Sequence, residues 1–258
     1  MQPAVLDTRG DAPRVPAGPE RLNRYLARRG VASRRAADSL ISSGRVTVNG
    51  APGQLSTVVE PAEDRVCVDG RAVSRAVERL TLMLNKPRGV VSTTRDPRGR
   101  VTVMELVEPI PALVPIGRLD ADSRGLMMLT TDGELAHRVA HPRFGVIKRY
   151  RAVVRGEVTR ERLQRIVSGV SLDDGPAHAV EARRLGSSQT LELAMGEGRR
   201  REVRRLCEAV GLEVIDLLRI TVGPLRLGAL PEGRWRPLLA AEDAAVRQAV
   251  GLPANPQQ

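Results

Sequence analysis

The chain is poor in aromatic residues, with one Trp, two Tyr and one Phe among 258 positions. A sheet platform that stacks several bases needs more than that, which excludes an RRM-like nucleic-acid binder. Cysteine is equally scarce. Cys67 and Cys207 stand far apart and match no zinc spacing, so they read as reduced thiols in a cytosolic protein. No apolar run of about 18 residues exists, and no basic n-region with an apolar h-region opens the chain. The expectation is a cytoplasmic protein with no membrane contact. A Walker motif, a G-x-G-x-x-G after a strand and a G-x-S-x-G are also missing, so ATP, dinucleotide and serine-hydrolase readings have no support.

Positive charge is abundant. Lys plus Arg is 41 against 30 acids, a formal +11, and most of the basic residues are Arg. Such an excess points to an anionic partner, nucleic acid first, and Arg adds a bidentate phosphate geometry that Lys lacks. The apolar fraction of 41% is ordinary and supports a proper core.

Residues 1–19 are rich in Pro, Gly, Ala and charge without apolar periodicity, and are expected to form a disordered leader. Residues 20–75 form a compact module in this reading. Leu22, Tyr25 and Leu26 recur at helical spacing and Gly30 supplies a stop. Ser33 caps a second helix that ends at Gly44. "RVTVNG" reads as a strand running into a tight Asn49-Gly50 turn, with further strands near Val58-Val59 and "RVCVDG". Arg21, Arg24 and Arg28 share a helix face, and Arg34, Arg35 and Arg45 lie close in sequence, a basic patch suited to RNA phosphates. A linker over 76–80 leads to a larger domain over 81–240, with a tail over 241–258 in which "AAEDAAVRQAV" reads as a short helix before a frayed "GLPANPQQ". In the larger part, strand-like halves flank "NKPRG", "RYRAVVRGEV" alternates, "TRERLQRIVSG" and "REVRRLCEAVG" are helical, and "AVEARRL" pairs with "TLELAM". Strands joined by short turns outnumber helices, which predicts an α+β domain on a mixed, largely antiparallel sheet.

The stretch "GRLDADSRGLMMLTTDG" (Gly117–Gly133) places Asp120 and Asp122 two residues apart. A calcium loop needs oxygen ligands at positions 1, 3 and 5, Gly at 6 and Glu at 12. Counted from Asp120, Arg124 falls on a ligand position and Thr131 on that of the Glu, which argues against calcium. A Mg²⁺-assisted phosphoryl transfer wants the pair at the end of a buried strand, and "IGRL" is a poor one. A lone carboxylate nucleophile with a nearby guanidinium fits better; Arg118 and the "EGRRREVRRL" cluster offer the cation. His137 and His141 are spaced i, i+4, but Arg138 and Pro142 spoil a zinc helix, and no metal is expected.

Taken in order, "RLNRYLARRGVASRRAADSLISSGRVTVNG", "LMLNKPRGVVST", "PIGRLDADSRGLMMLTTDGELAHRVAHP", "KRYRAVVRG" and "EGRRREVRRLCEAVGLEVIDLLRITVGPLRLGALPEG" resemble the ribosomal RNA pseudouridine synthases of the RsuA/RluB group. That group carries a small N-terminal S4 RNA-binding domain before its catalytic domain. The match covers roughly 20–240, and the "REVRRL" spelling is more similar to the large-subunit (23S) enzymes than to the 16S ones. The resemblance implies isomerisation of a uridine in rRNA, or in a pre-ribosomal particle, without a cofactor and by a monomer. It assigns Asp120 as the catalytic aspartate, Tyr150 as the ring packed on the target uracil, and Arg204 as the cation that salt-bridges Asp120. Arg118, Lys86, Arg199 and Arg201 are assigned to RNA contact alongside Arg21, Arg24, Arg34, Arg35 and Arg45, and Asp122 to ordering the turn. The alternatives are a 16S rRNA pseudouridine synthase and a non-catalytic S4 RNA-binding ribosome-assembly factor.

Overall fold

A computed structural model describes residues 18–73, 77–186 and 189–255. The leader lies outside the described residues except for Gly18 and Pro19, as do Ala76 of the linker and the last three residues. The chain divides into two compact units, Met1–Ala76 and Val77–Gln258.

In the first unit a helix over Leu22–Arg28 buries Leu22, Tyr25 and Leu26, and Gly30 follows it at φ +72°, the left-handed stop that glycine takes without strain. The Ser33 hydroxyl accepts from the Ala36 N–H at 3.3 Å and starts the helix Arg34–Ser42. Four short strands follow in the order Ala51–Pro52, Val46–Val48, Val66–Val68, Arg71–Ala72. Asn49 and Gly50 both take positive φ, the geometry that matches strand twist in a two-residue hairpin. Asp69 and Gly70 repeat the device. The core is Leu22, Tyr25, Leu26, Ala37, Ile41, Val46, Val59 and Val66.

The second unit is built on a nine-stranded sheet. Its main order is Glu181–Arg184, Thr190–Met195, Lys148–Arg155, Glu213–Val222, Arg124–Thr130, Thr81–Lys86, Trp235–Pro237, with Val114–Ile116 and Leu225–Arg226 paired at the side. Every neighbouring pair is antiparallel except one: Glu213–Val222 meets Arg124–Thr130 in parallel through Leu218–Arg124 and Arg219–Gly125. The expected α+β class and largely antiparallel sheet are therefore present. Helices cover both faces, so the sheet separates two apolar clusters, one around Leu84, Met127 and Leu193 and another around Met83, Leu126 and Met128.

One expectation changes. The second half of "NKPRGVVSTT" is no strand; apart from a single bridge between Val91 and Thr102, it turns toward the 118–121 segment. Pro87 has no N–H to continue a ladder, and the Gly89 N–H goes to the Ala121 carbonyl at 2.7 Å instead. The short helix expected after residue 240 is present as Ala240–Ala249, and it sends Val246 into the second cluster. Its Arg247, 1% exposed, bonds Asp243 at 2.7 Å and Asp132 at 3.0 Å.

Candidate active site

The single parallel contact of the sheet sets the geometry of the site. A β-carbon at Gly125 would lie 2.4 Å from the Arg219 carbonyl oxygen and 2.8 Å from its nitrogen, and φ there is +108°. Only glycine lets the two backbones approach so closely. The chain enters this strand through the turn 118–123, and six successive carbonyls of that turn each accept a hydrogen bond. Arg118 O takes Arg219 Nη1 at 3.4 Å and Leu119 O takes Ser92 Oγ at 2.8 Å. Asp120 O takes Ser123 N at 3.0 Å and Ala121 O takes Gly89 N at 2.7 Å. Asp122 O takes Arg204 Nη2 at 3.0 Å and Ser123 O takes Lys86 Nζ at 2.7 Å. Three of the six donors are cationic, and charge-assisted bonds contribute about 1.5–3 kcal/mol each. The backbone around Asp120 is thus held in one conformation.

The two carboxylates of the turn differ. Asp122 pairs with Arg201 at 2.9 Å and with Arg204 at 3.3 Å. Burial pushes its pKa up, but the Arg201 bond and the Arg204 charge prevail and hold it below the ordinary value. The Asp120 side chain is half-buried and makes no ion pair or hydrogen bond among the described residues. The expected salt bridge between Arg204 and Asp120 is therefore replaced by one to Asp122. Arg204 reaches that side because its other contacts, the carbonyls of Val214 and Asp122, orient its guanidinium.

Beside the turn, a cleft is lined by Gly117, Arg118, Lys148, Tyr150, Gly198 and Arg219, among others. Tyr150 stands directly across the strand pair from Arg219, and both are nearly buried, at 8% and 3% exposure. Arg219 is anchored by Nε on the Leu126 carbonyl at 2.7 Å. Lys148 donates to the Val146 carbonyl, and burial together with the Arg219 charge lowers its pKa. An aromatic ring flanked by buried cations, with an open carboxylate two residues past Arg118, suits a flat base attached to a phosphate. A larger cleft, near 400 Å³, opens among Gly145, Arg149, Glu181 and Thr221. Its charged groups are already paired, Arg149 to Glu181 at 2.7 Å.

The chain has two lysines, Lys86 and Lys148, and both are buried. Lys86 was expected on the RNA; it is fully enclosed instead, with its ammonium on the Pro87 and Ser123 carbonyls. Burial lowers its pKa to about 8, against the attraction of Asp122 and Asp120. Arg199 is likewise engaged in the fold rather than open, contacting Glu197, Asp174, the Pro176 carbonyl and Glu202. Arg201 takes φ +53°, unusual for a side-chain-bearing residue, and its guanidinium meets Asp122. Arg200 between them is exposed. In the first unit Arg24 and Arg28 turn back on Glu20, Arg21 reaches the Leu55 and Ser56 carbonyls, and Arg45 forks onto Asp69. Arg34 and Arg35 are exposed. Arg219 and Lys148 were not foreseen. Their signal was alternation: Leu217, Arg219 and Thr221 share one inward strand face, as do Lys148, Tyr150 and Ala152.

Cys67 and Cys207 are free thiols; burial pushes Cys207 up to about 12. His137 and His141 stack edge to face at 5.3 Å, and the His141 Nδ1 accepts from the Arg143 N–H. No helix among the described residues is long and apolar enough to cross a membrane.

Comparison with known proteins places this architecture. The RNA pseudouridylate synthase family profile matches residues 80–209, and the S4 domain profile matches 20–66. An uncharacterised RNA pseudouridine synthase of Aquifex aeolicus is 43% identical over 244 residues, covering 92% of this chain and 98% of the relative. Ribosomal large subunit pseudouridine synthase B of Bacillus subtilis is 39% identical, covering 88% and 96%. Its Pseudomonas aeruginosa counterpart is 41% identical, covering 93% of this chain and 64% of the relative. A crystal structure of a pseudouridylate synthase superposes with a TM-score of 0.64 at 28% identity, covering 89% of this chain and 99% of that one. With an S4 domain in front of a pseudouridine synthase sheet, and relatives matched along nearly its whole length, the chain belongs to the RNA pseudouridine synthase family.

Proposed function

We propose that the chain converts one uridine of large-subunit (23S) ribosomal RNA to pseudouridine, with Asp120 as the working carboxylate. One observation carries this reading: every carbonyl of the Asp120 turn is tied down while the Asp120 carboxylate itself has no ion-pair or hydrogen-bond partner among the described residues. A side chain held in place but unengaged is arranged for a substrate. The names of the Bacillus and Pseudomonas relatives support 23S rRNA as the substrate.

In the reaction the bond from sugar C1′ to uracil N1 breaks, the base turns, and C1′ joins C5. The C5 proton leaves and N1 gains one, so atoms and electrons balance within the nucleotide and no cofactor is required. The base first leaves its stack, at a cost of a few kcal/mol. The Tyr150 ring offsets part of this, about 1–3 kcal/mol for a stacked base. Asp120 acts as nucleophile or base on the freed nucleotide. Arg118, Arg219 and Lys148 supply positive charge for the phosphate of that nucleotide. Arg204 and Lys86 act through the backbone, as positioning residues. The RNA reaches the site with help from the S4 unit, where Arg34 and Arg35 are among the exposed cations.

The test is to incubate the protein with unmodified 23S and 16S rRNA and map pseudouridine chemically. The expected result is one new pseudouridine in 23S rRNA. A new site in 16S rRNA alone reassigns the substrate, and RNA binding with no pseudouridine in either favours a non-catalytic assembly factor.

A further inference from the structure

Most of the arginines around the Asp120 turn are already engaged. Arg88, Arg124, Arg199, Arg201, Arg204 and Arg205 all meet carboxylates. Arg95 and Arg98, on the loop 93–100, do not: both are exposed, and neither guanidinium has an ion pair or hydrogen bond among the described residues. The loop is nevertheless ordered from within. The Asp96 carboxylate accepts from Arg100 N at 3.1 Å, Nε at 3.0 Å and Nη2 at 2.8 Å. The Gly99 N–H closes the turn on the Asp96 carbonyl. Asp96 thereby neutralises Arg100 and leaves Arg95 and Arg98 as the uncompensated charge.

The root of this loop is fastened to the residue before Asp120. The Ser92 hydroxyl donates to the Leu119 carbonyl at 2.8 Å and accepts from the Leu119 N–H at 3.1 Å. The loop's ends are joined by Val91 N to Val101 O and Val103 N to Val91 O, both at 3.0 Å. A pair of open guanidiniums thus projects from a braced loop whose base is bolted to the catalytic turn.

We propose that Arg95 and Arg98 hold backbone phosphates of the RNA strand that flanks the target uridine. The proposal rests on the reading of Asp120 as the centre of an RNA pseudouridine synthase. Phosphate is the chemistry indicated because the loop offers planar cationic forks. It carries no aromatic ring to stack a base and no Asn or Gln to read an adenine edge. Its internal bracing lowers the ordering cost on binding. These contacts position the strand without reading its sequence.

The experiment measures binding of a 23S rRNA fragment that contains the target, from 50 to 200 mM salt, together with steady-state kinetics. The double variant R95Q/R98Q is compared with wild type and with R160Q, which removes an exposed arginine at the start of the helix Arg160–Ser168. Each lost phosphate contact reduces the slope of log K against log salt by about 0.7–0.9. The double variant is expected to lose roughly 1.5 of slope, to raise KM about tenfold, and to keep kcat within about twofold. R160Q is expected to leave slope and KM unchanged. An unchanged slope in R95Q/R98Q, or an equal fall per charge in R160Q, overturns the loop proposal while pseudouridine formation by wild type still stands. Absence of pseudouridine with the wild-type protein overturns instead the reading on which it rests.

Discussion

The turn 118–123 and the segment 197–205 face each other across Asp122 and use their atoms in opposite ways. The turn engages its backbone: six carbonyls in a row accept bonds, while the Asp120 carboxylate stays open. The segment engages its side chains: Arg199, Arg201, Arg204 and Arg205 all reach carboxylates or carbonyls. The difference teaches that richness in a residue type does not locate the chemistry. Five arginines within 197–205 are mostly a scaffold, and the carboxylate proposed to react is the one the scaffold leaves free.

The sharpest break in this comparison is Asp120→Asn. It removes the open carboxylate and leaves every carbonyl bond of the turn in place. Turnover is expected to fall by more than about 10³-fold, as for loss of a catalytic nucleophile or base, with RNA affinity measured by filter binding nearly unchanged. Gly125→Ala attacks the frame instead. The new methyl meets the Arg219 backbone, so chemical denaturation should show a loss of about 3 kcal/mol or more, with activity falling alongside. Arg204→Ala strips donors from the Val214 and Asp122 carbonyls, and its stability cost is expected at about 1–3 kcal/mol. A positioning role further requires that kcat fall while KM holds, a split that loss of RNA contact does not produce.

Lys86→Met sharpens the comparison through pH. The folded pKa of Lys86, about 8, lies below its ordinary value of 10.5. Between those values the unfolded chain carries a proton that the folded chain has released. The contribution of Lys86 to stability therefore rises with pH across that window. Urea unfolding from pH 7.5 to 10.5 should show wild type gaining on Lys86→Met as pH rises; parallel curves contradict the buried-lysine account. The smallest effect is expected from Asp122→Asn. Its carboxylate is partly exposed and its ion pairs are worth about 1 kcal/mol or less each, so activity should stay within about tenfold of wild type.

Local structure was legible wherever one residue type has one physical use. Ser33 caps a helix through its hydroxyl, Gly30 and Gly169 end helices, and Asn49-Gly50 makes a hairpin. The alternation in Lys148–Arg155 marked a half-buried strand and put Tyr150 on its inner face. What sequence could not disclose was pairing over distance. Whether Arg204 meets Asp120 or Asp122 depends on where a turn and a helix 80 residues apart come to rest. The burial of Lys86 follows from its place in a central strand between two apolar layers, where a cation survives only on carbonyls. The segment 89–93, apolar enough to suggest a strand, is claimed by the Asp120 turn instead.

The central claim is that one turn carries two carboxylates with separate duties. It is tested most directly by mapping pseudouridine in 23S rRNA exposed to Asp120→Asn and to Asp122→Asn under conditions where both bind RNA. The account predicts no pseudouridine with Asp120→Asn and the wild-type position modified with Asp122→Asn. The reverse result, or full activity in both, contradicts it.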